Sequence, residues 1–310
     1  MTGPPGPTFA VIVPTYNEAD DIGATCESLL RLAPAPDEII FVDGASTDGT
    51  PDIIRQHLTR PSVRLIVEGA RRGPATARNV GVEAARSDVV VFADADVYLP
   101  PDFLARIARH YEQGADSVAV EMEVANRDNV YGRYTQALHE YLYRGDESLT
   151  FSQAFSCRRA VALAAGLFPE GLPGAEDFEF GRRLATQTTR RVVDRSIVVR
   201  HLVPGTLAGF WRQWEWRGAA FPMLRHWVHH VRRPVLIAER AATAGVSLLL
   251  LLTVVAPLRQ AMTLSTRTGR RWTDLPAFLA LSVVQQLASR TGECKGLARL
   301  YTLPRPSNAR

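Results

Sequence analysis

The sequence predicts an α/β fold built around a mostly parallel β-sheet. Between residues 9 and 92, short apolar runs alternate with helical patterns, and the connections between them are short, as in successive β-α-β units. Two of these runs end on a carboxylate, at Asp43 and at Asp94, where the strands of an open parallel sheet meet their ligands. With 310 residues, 46% of them hydrophobic, the chain can form one large α/β domain and an additional segment.

Each element of the first half follows from its local pattern. Strands are predicted where apolar residues dominate a short run, at residues 9–13, 38–42, 63–67 and 88–92. Helices are predicted at residues 19–32, from Thr50 onward and at residues 73–85. Prolines lie close to one end of each of these helical patterns, which is typical of helix boundaries.

The second half has a mixed pattern. Helices are predicted at residues 101–111, 130–143 and 177–186, and a Gly/Pro-rich loop precedes the last of them. Residues 118–124 alternate apolar and polar side chains, which predicts a half-exposed strand. Residues 192–200 predict one or two more strands. The Gly/Pro-rich residues 1–8 and the polar residues 304–310 are expected to be flexible.

Composition narrows the class of protein. Cys26, Cys157 and Cys294 are odd in number and far apart, so we expect no disulfide framework, no cysteine metal site and a reducing compartment. No basic stretch followed by an apolar run opens the sequence, so no secretory signal is expected. The net charge is +4, with arginines concentrated after residue 201, which indicates an anionic surface or ligand there. We expect no nucleic-acid partner.

Polar side chains cluster just after the predicted strands, and the carboxyl ends of parallel strands lie along one edge of the sheet. Two neighbouring carboxylates call for a cation, and a divalent metal shared with a phosphate fits Asp94 and Asp96. Alternatively, both are solvated aspartates near the next helix. Arg78, one turn into a helix, suits a phosphate or, alternatively, a surface acid. Tyr16 could equally pack, and Asp43 could cap a turn. The clustered residues are Thr15, Tyr16, Glu18, Asp43, Asp94, Asp96 and His201.

Five motifs, in this order, resemble those of the family 2 glycosyltransferases. They are Val13-Pro14-Thr15-Tyr16-Asn17-Glu18, Val42-Asp43-Gly44-Ala45-Ser46-Thr47-Asp48-Gly49-Thr50, Ala77-Arg78-Asn79, Asp94-Ala95-Asp96, and Glu176-Asp177 with Gly181-Arg182-Arg183-Leu184. The resemblance runs from about residue 9 to about residue 218. It implies a GT-A fold with a Rossmann-like sheet flanked by helices and a catalytic domain at residues 9–205. It also implies an inverting enzyme that uses a nucleotide-diphosphate sugar and a divalent metal, Mg²⁺ or Mn²⁺.

The resemblance further implies roles for the matching residues. Asp177 matches the catalytic base, and Asp96 matches the more direct metal ligand, with Asp94 and the less closely matched His201 beside it. Gly44 departs from the pattern, because many members carry a second aspartate there. The implied nucleotide-sugar contacts are Thr15, Tyr16, Glu18, Asp43, Arg78 and Asp94, and the implied acceptor or diphosphate contacts are Glu176, Gln213 and Arg217.

The chemistry of sugar transfer agrees with these roles, because a metal stabilises the leaving diphosphate and a carboxylate deprotonates the acceptor hydroxyl. A sugar-1-phosphate nucleotidyltransferase is the alternative enzyme. It calls for a glycine-rich phosphate loop after the first strand, and residues 14–18 contain no glycine. A non-catalytic nucleotide-sugar-binding module at a membrane is the third possibility, although all three acidic motifs are present. UDP-type and GDP-type donors fit equally well.

The C-terminal third predicts a membrane-associated helical extension. Residues 206–234 form an amphipathic segment that interleaves Trp with Arg, which suits a headgroup interface. Residues 235–303 predict a hydrophobic helical hairpin, with apolar stretches at 241–258 and 275–288. Basic residues flank both stretches, so we expect an embedded or interfacial hairpin on the cytoplasmic face of the membrane. One true membrane span and a dimerisation helix are the alternatives. A membrane surface makes a glycan or lipid-linked acceptor plausible.

Overall fold

The computed structural model describes residues 6–58, 60–143, 154–252 and 254–302, with the backbone alone for residues 243–252. Most of the N-terminal segment that we expected to be flexible, and all of residues 304–310, lie outside these ranges. The strands are β1 Phe9–Thr15, β2 Glu38–Asp43, β3 Val63–Val67, β4 Val89–Phe92, β5 Val97–Tyr98, β6 Ser117–Val124, β7 Ser156–Arg158 and β8 Arg191–His201.

Helices connect and follow these strands. In chain order they are α1 Ile22–Leu30, α2 Thr50–Gln56, α3 Pro74–Ala84, α4 Phe103–Glu112, α5 Val130–Tyr143, α6 Arg159–Ala164, α7 Glu176–Gln187, α8 Leu207–Trp227, α9 Arg233–Leu252, α10 Val255–Ser265 and α11 Arg271–Thr302. The chain divides into two compact units. Among the described residues, the first unit holds 6–123, 154–171 and 176–201, and the second holds 124–143, 172–175 and 202–302 apart from residue 253.

The first unit is built on one sheet with the strand order β3-β2-β1-β4-β7-β6-β8-β5. Strands β3, β2, β1 and β4 run parallel, which confirms the parallel arrangement predicted from the first four apolar runs. The remaining strands extend the sheet through antiparallel pairings of β7 with β4 and β6, and of β5 with β8. Because β1 is central, its residues 9–13 are buried on both faces, as the continuous apolar run requires.

Helix α3 packs very closely on the central strand. A Cβ atom on Gly81 would lie 2.3 Å from Cγ2 of Ile12, so only glycine allows this approach. The close packing holds the N-terminal turns of α3, which carry Arg78, against the sheet.

Several predicted boundaries differ from the structure for physical reasons. The strand expected at residues 118–124 is buried more fully than its alternation suggests, because only Glu121 and Glu123 on it are partly exposed. The short strands β5 and β7 were not predicted, since two or three residues carry no periodicity. The apolar stretch 241–258, partly outside the described side chains, is divided between α9 and α10. Val254 has a φ of 57°, which is outside the helical range, and Pro257 lies in the first turn of α10, where a helix tolerates proline.

The second unit is a helical assembly around α8 and α11. Phe210 and Phe278 each pack edge-on against Tyr134 in its core. Arg133 of α5 forms an ion pair with the buried Asp274 of α11, at 2.8 Å. Among the helices of the described residues, none combines the length and apolar content needed to cross a bilayer.

Backbone contact between α8 and α11 depends on glycine. A Cβ atom on Gly292 would lie 1.9 Å from the carbonyl oxygen of Glu215, and one on Gly218 would lie 2.2 Å from that of Ser289. A Cβ atom on Gly296 would lie 2.4 Å from the carbonyl oxygen of Ala219. No side chain can relieve a clash with backbone atoms by changing its rotamer, so the two helices would have to separate.

We therefore expect Gly292→Ala to lower the free energy of unfolding by about 1–3 kcal/mol, the usual cost of overpacking. Gly23→Ala in α1 is the matched control, because its Cβ atom would make only an ordinary contact of 3.9 Å with Ile53. The control should be neutral or stabilising by up to about 1 kcal/mol, since alanine favours a helix over glycine. Urea denaturation measures both. Equal stability of the two variants would contradict the close packing.

Candidate active site

The ends of β1 and β2 are tied together by a buried carboxylate. Thr15 and Asp43 are partners in the register of the two strands, and Thr15 Oγ1 donates to Asp43 Oδ2 at 3.1 Å. Ser46 donates to the same carboxylate through its backbone N–H, at 2.9 Å to Oδ1, and its hydroxyl, at 2.6 Å to Oδ2. Asp43 is 0% exposed. Its hydrogen bonds stabilise the turn after β2. The expected contact of Asp43 with a nucleobase stays a prediction.

The turn after β2 positions the loop after β1. The backbone N–H of Asn17 donates to Ser46 Oγ at 2.8 Å, and Asn17 Oδ1 accepts from the backbone N–H of Thr47 at 2.9 Å. The backbone N–H of Glu18 donates to Thr50 Oγ1 at 2.9 Å. The predicted motif residues around Tyr16 and Glu18 are thus held at the carboxyl end of the parallel strands, where ligands of such sheets bind.

Arg78 is the centre of a buried ion-pair network. Its side chain is 4% exposed, and it donates to Asp94 Oδ1 at 2.6 Å and to Glu176 Oε1 at 2.8 Å. Burial opposes the charged guanidinium, but the carboxylates of Asp94 and Glu176 raise the pKa of Arg78 above its ordinary value. Arg78 therefore stays charged and brings two of the predicted motifs together. The ring of Phe168 packs below the guanidinium, and 5.5 Å separates the ring centre from the Arg78 Cζ atom.

Glu176 and Asp177 open α7 but occupy different environments. Glu176 is buried, whereas Asp177 is partly exposed. Burial and the charge of Asp177 raise the pKa of Glu176, Arg78 lowers it, and the net pKa is about 7. Both carboxylates lie in the first turn of the helix, where the helix dipole favours negative charge. Asp177 is the more accessible of the two for a proton transfer.

Asp96 and His201 form a second pair at this edge. His201 Nε2 lies 3.2 Å from Asp96 Oδ1, so the structure joins two residues that were predicted as metal ligands. Nearby, burial raises the pKa of Glu18 to about 7, with added repulsion from Asp96, Asp21, Asp94 and Asp48. Within the described residues, no three His, Cys, Asp or Glu side chains are arranged to hold a metal ion.

Four other side chains of the first unit were absent from the predicted site. The Arg71 guanidinium lies over the ring of Tyr16, 3.9 Å from its centre. The buried Glu68 directly follows β3 and pairs with Arg72. For Glu68 the sequence did offer a signal, because Glu68 directly follows the third predicted strand in the way that Asp43 ends the second. Asn79 is the fourth, and it fixes the loop before α7 by hydrogen bonds to both backbone groups of Phe168.

Gln213 and Arg217 lie on α8 in the second unit. Arg217 is exposed and its guanidinium lies 4.9 Å from the centre of the Trp214 ring, while Gln213 is partly exposed. Their expected contacts with acceptor or diphosphate stay predictions.

Comparison with known proteins gives a family match for about half of the chain. Residues 10–166, about half of the chain, match the sequence model of glycosyl transferase family 2. The chain is also similar to the succinoglycan biosynthesis protein ExoO of Rhizobium meliloti, with 36% identity over 124 residues. That alignment covers 40% of this chain and 34% of the relative, so the chain spans about a third of the length of that protein.

Two solved structures share the fold. A mannosyltransferase from Pyrobaculum calidifontis, in complex with GDP-Man and Mn²⁺, matches with a TM-score of 0.57 and 25% identity over 91% of this chain and 87% of that one. Residues 1–349 of TarS from S. aureus, in complex with UDP-GlcNAc, match with a TM-score of 0.57 and 19% identity over 95% and 92%. The predicted α/β, GT-A-like fold is confirmed.

Replacing Arg78 tests the network without any assumption about the substrate. We expect Arg78→Met to lower the free energy of unfolding by about 3–5 kcal/mol, because it leaves Glu176 buried without its cation. The double variant Arg78→Met/Glu176→Gln should recover part of this loss. Arg31→Met is the control, since Arg31 forms an exposed pair with Glu27 that contributes less than about 1 kcal/mol. Similar losses for Arg78→Met and Arg31→Met in urea denaturation would contradict the network's role.

Proposed function

The chain belongs to glycosyl transferase family 2, and from this we propose that it moves a sugar from a nucleotide-diphosphate sugar to an acceptor hydroxyl, with inversion at the anomeric carbon. The observation that carries the proposal is the network in which Arg78 joins Asp94 to Glu176, directly before the accessible Asp177. This arrangement sets a candidate proton acceptor near Asp94, a carboxylate that could share a divalent cation with a diphosphate.

In the proposed reaction, the acceptor oxygen attacks the anomeric carbon from the face opposite the diphosphate. As this carbon–oxygen bond forms, the bond to the diphosphate oxygen breaks, and its electron pair leaves with the diphosphate. Asp177 takes the proton of the acceptor hydroxyl. A single displacement inverts the configuration. The buried Glu176 is held by Arg78, so its oxygen is engaged while the neighbouring carboxylate accepts the proton.

The residues present fit a divalent cation that is shared with the substrate. Asp96 and His201 form an adjacent pair, and the raised pKa of Glu18 reflects burial and the negative charge of its neighbours. Mg²⁺ and similar ions are often bound by one or two protein carboxylates, with phosphates and water completing the shell. When bound, such a cation would neutralise the charge that develops on the leaving diphosphate. We propose Asp96 as its direct ligand, with Asp94 and His201 beside it.

We propose a donor of the UDP or GDP type, bound along Thr15, Tyr16 and Glu18. Support comes from the GDP-Man bound to the Pyrobaculum calidifontis mannosyltransferase and the UDP-GlcNAc bound to TarS. We propose that the acceptor is a glycan or a lipid-linked glycan, and that Gln213 and Arg217 contact the acceptor or the diphosphate.

The second unit presents a surface suited to a membrane, and we propose that the enzyme works at the cytoplasmic face of one. Val255, Leu258 and Met262 are exposed at helical spacing along α10. Trp272, at the start of α11, is 73% exposed and lies beside the exposed Arg271. Exposed apolar side chains flanked by arginines favour an anionic lipid interface. Among the described residues, Cys26, Cys157 and Cys294 are free thiols, which agrees with a reducing compartment.

A panel of nucleotide sugars with Mg²⁺ or Mn²⁺ tests the reaction. We expect thermal stabilisation by UDP or GDP, and consumption of a UDP-sugar or GDP-sugar. Asp177→Asn should bind the same nucleotide with similar affinity but lose about 10²–10⁴-fold in turnover, the usual contribution of a general base. Asp52→Asn, at an exposed position of α2, is the control and should match the wild type.

Two outcomes would overturn parts of this proposal. Unchanged turnover in Asp177→Asn would remove Asp177 from the mechanism. The absence of both nucleotide binding and sugar-nucleotide consumption across the panel would remove the glycosyltransferase function itself.

Sedimentation with lipid vesicles tests the membrane surface. We expect the protein to pellet with vesicles that contain phosphatidylglycerol, and less with pure phosphatidylcholine or at high salt, since arginine–lipid attraction is screened. The triple variant Leu258→Glu/Met262→Glu/Trp272→Glu should stay in the supernatant. Leu163→Glu is the control, because Leu163 is 40% exposed, as Leu258 is, but lies on α6 of the first unit. Equal pelleting of the triple variant and this control would exclude the α10–Trp272 surface as the lipid-binding site.

A further inference from the structure

A polar groove opens at the amino ends of the parallel strands, at the edge of the sheet opposite the candidate active site. This amino-edge groove is lined at or just before the first residues of β1, β2, β3 and β4. Its volume is about 430 Å³, within the range of small-molecule sites, about 300–1,000 Å³. The side chains that matter for binding are Asp37, Glu38, Pro61, Ser62, Arg64 and Arg86.

Glu38 fixes the segments that line the groove relative to one another. Its Oε1 accepts from the backbone N–H groups of Arg86 and Ser87, at 2.7 and 2.9 Å, and from the Ser87 hydroxyl at 2.7 Å. Its Oε2 accepts from Arg64 Nη2, which also donates to the carbonyl oxygen of Ala84 at 3.1 Å. The groove is therefore formed before any ligand arrives, and a preformed site spends little free energy on ordering.

Other groups in the groove have hydrogen-bonding capacity that the fold does not use. Within the described part of the chain, the exposed guanidinium of Arg86 and the Ser62 hydroxyl make no hydrogen bond or ion pair. Asp37 Oδ2 accepts from the backbone N–H of Phe9 at 2.7 Å, and Oδ1 has no partner among those same residues. Arg86 and Asp37 carry opposite charges in one groove and do not pair with each other, so a ligand that bridges them would satisfy both.

A sugar that carries an anionic group has the chemistry to bridge them. The planar guanidinium of Arg86 binds a carboxylate or a phosphate through two parallel N–H···O bonds. Asp37 accepts from sugar hydroxyls, and the Ser62 hydroxyl can donate or accept. Arg64, whose side chain is 37% exposed, adds positive charge. The exposed ring of Pro61 offers an apolar surface for the C–H face of a sugar ring.

We propose that the amino-edge groove binds a sugar with a carboxylate or phosphate group, as a second site apart from the donor site. Arg86 holds the anionic group, and Asp37 and Ser62 hold the hydroxyls. β1 spans seven residues between the two edges, and at about 3.3 Å per residue these edges are roughly 20 Å apart. One small sugar cannot occupy both sites. The inference goes beyond the proposed transfer reaction and does not depend on it.

Calorimetric titration of the full chain with glucuronic acid, glucose 6-phosphate and glucose tests this site. At least one of the two anionic sugars should bind about 10-fold more tightly than glucose, because hydrogen bonds to charged groups are the stronger ones. Binding should be the same in the presence of saturating UDP or GDP.

Two variants locate the sugar in the groove. Arg86→Met should weaken binding of the anionic sugar about 10-fold, since it removes a charge-assisted contact. Asp37→Asn should weaken it about 3-fold, because a neutral amide oxygen accepts less strongly than a carboxylate. Arg109→Met is the matched control, because Arg109 is an exposed arginine of α4 that forms no ion pair with any described residue. This control should bind as the wild type does.

Both variants leave the internal contacts of the groove in place. The backbone N–H of Arg86 still donates to Glu38, and the amide oxygen of an asparagine at position 37 can still accept from Phe9. Failure of all three sugars to bind, or equal affinity for glucose and both anionic sugars, would overturn the proposal. So would unchanged affinity in both variants. Loss of binding in saturating nucleotide would assign the sugar to the donor site, whereas loss of sugar transfer alone would leave these titrations unaffected.

Discussion

Arg78 carries a positive charge into the interior of the first unit, where its side chain is only 4% exposed. Removing a guanidinium from water costs several kcal/mol, and only well-placed carboxylates offset this cost. Asp94 and Glu176 supply them from segments up to 98 residues away in the chain. Because the ion pairs are short and buried, the start of α3, the loop after β4 and the start of α7 cannot move independently. The ion pairs of Arg78 therefore fix the geometry of the candidate active site.

The ion pair with Arg78 also places the neighbouring carboxylates of Glu176 and Asp177 in different environments. Burial and Asp177 raise the pKa of Glu176 and Arg78 opposes them, with a net pKa of about 7, so loss of Arg78 would favour the neutral form of Glu176. With the arginine in place, Glu176 serves as an anchor for the start of α7. Asp177, one residue further along, is more exposed. A base that must release its proton to solvent after each turnover benefits from this exposure, whereas an anchor does not.

The sequence predicted what depends on periodicity and on residue type. The helix expected at residues 130–143 is observed at Val130–Tyr143, and the parallel strands follow their apolar runs. Such patterns do not predict how deeply a particular side chain is buried or in which direction it points. Asp43 and Glu68 both lie at strand ends, yet one has all its acceptors satisfied internally and the other keeps a buried oxygen unpaired. That difference arises from the neighbouring loops, whose conformations depend on contacts between distant residues.

The apolar residues of the second unit are of two kinds, buried and exposed. The mean hydropathy of the segment cannot distinguish them. Gly218, Gly292 and Gly296 bring the backbones of α8 and α11 together, so this contact needs little side-chain volume. Tyr134 and Phe278 fill the neighbouring core. The exposed apolar side chains of α10 take no part in either contact. Burying apolar surface contributes about 0.025 kcal/mol per Å², so covering these side chains would be favourable. Their position beside arginines supports the proposed lipid surface, which would supply both the apolar contact and the complementary charge.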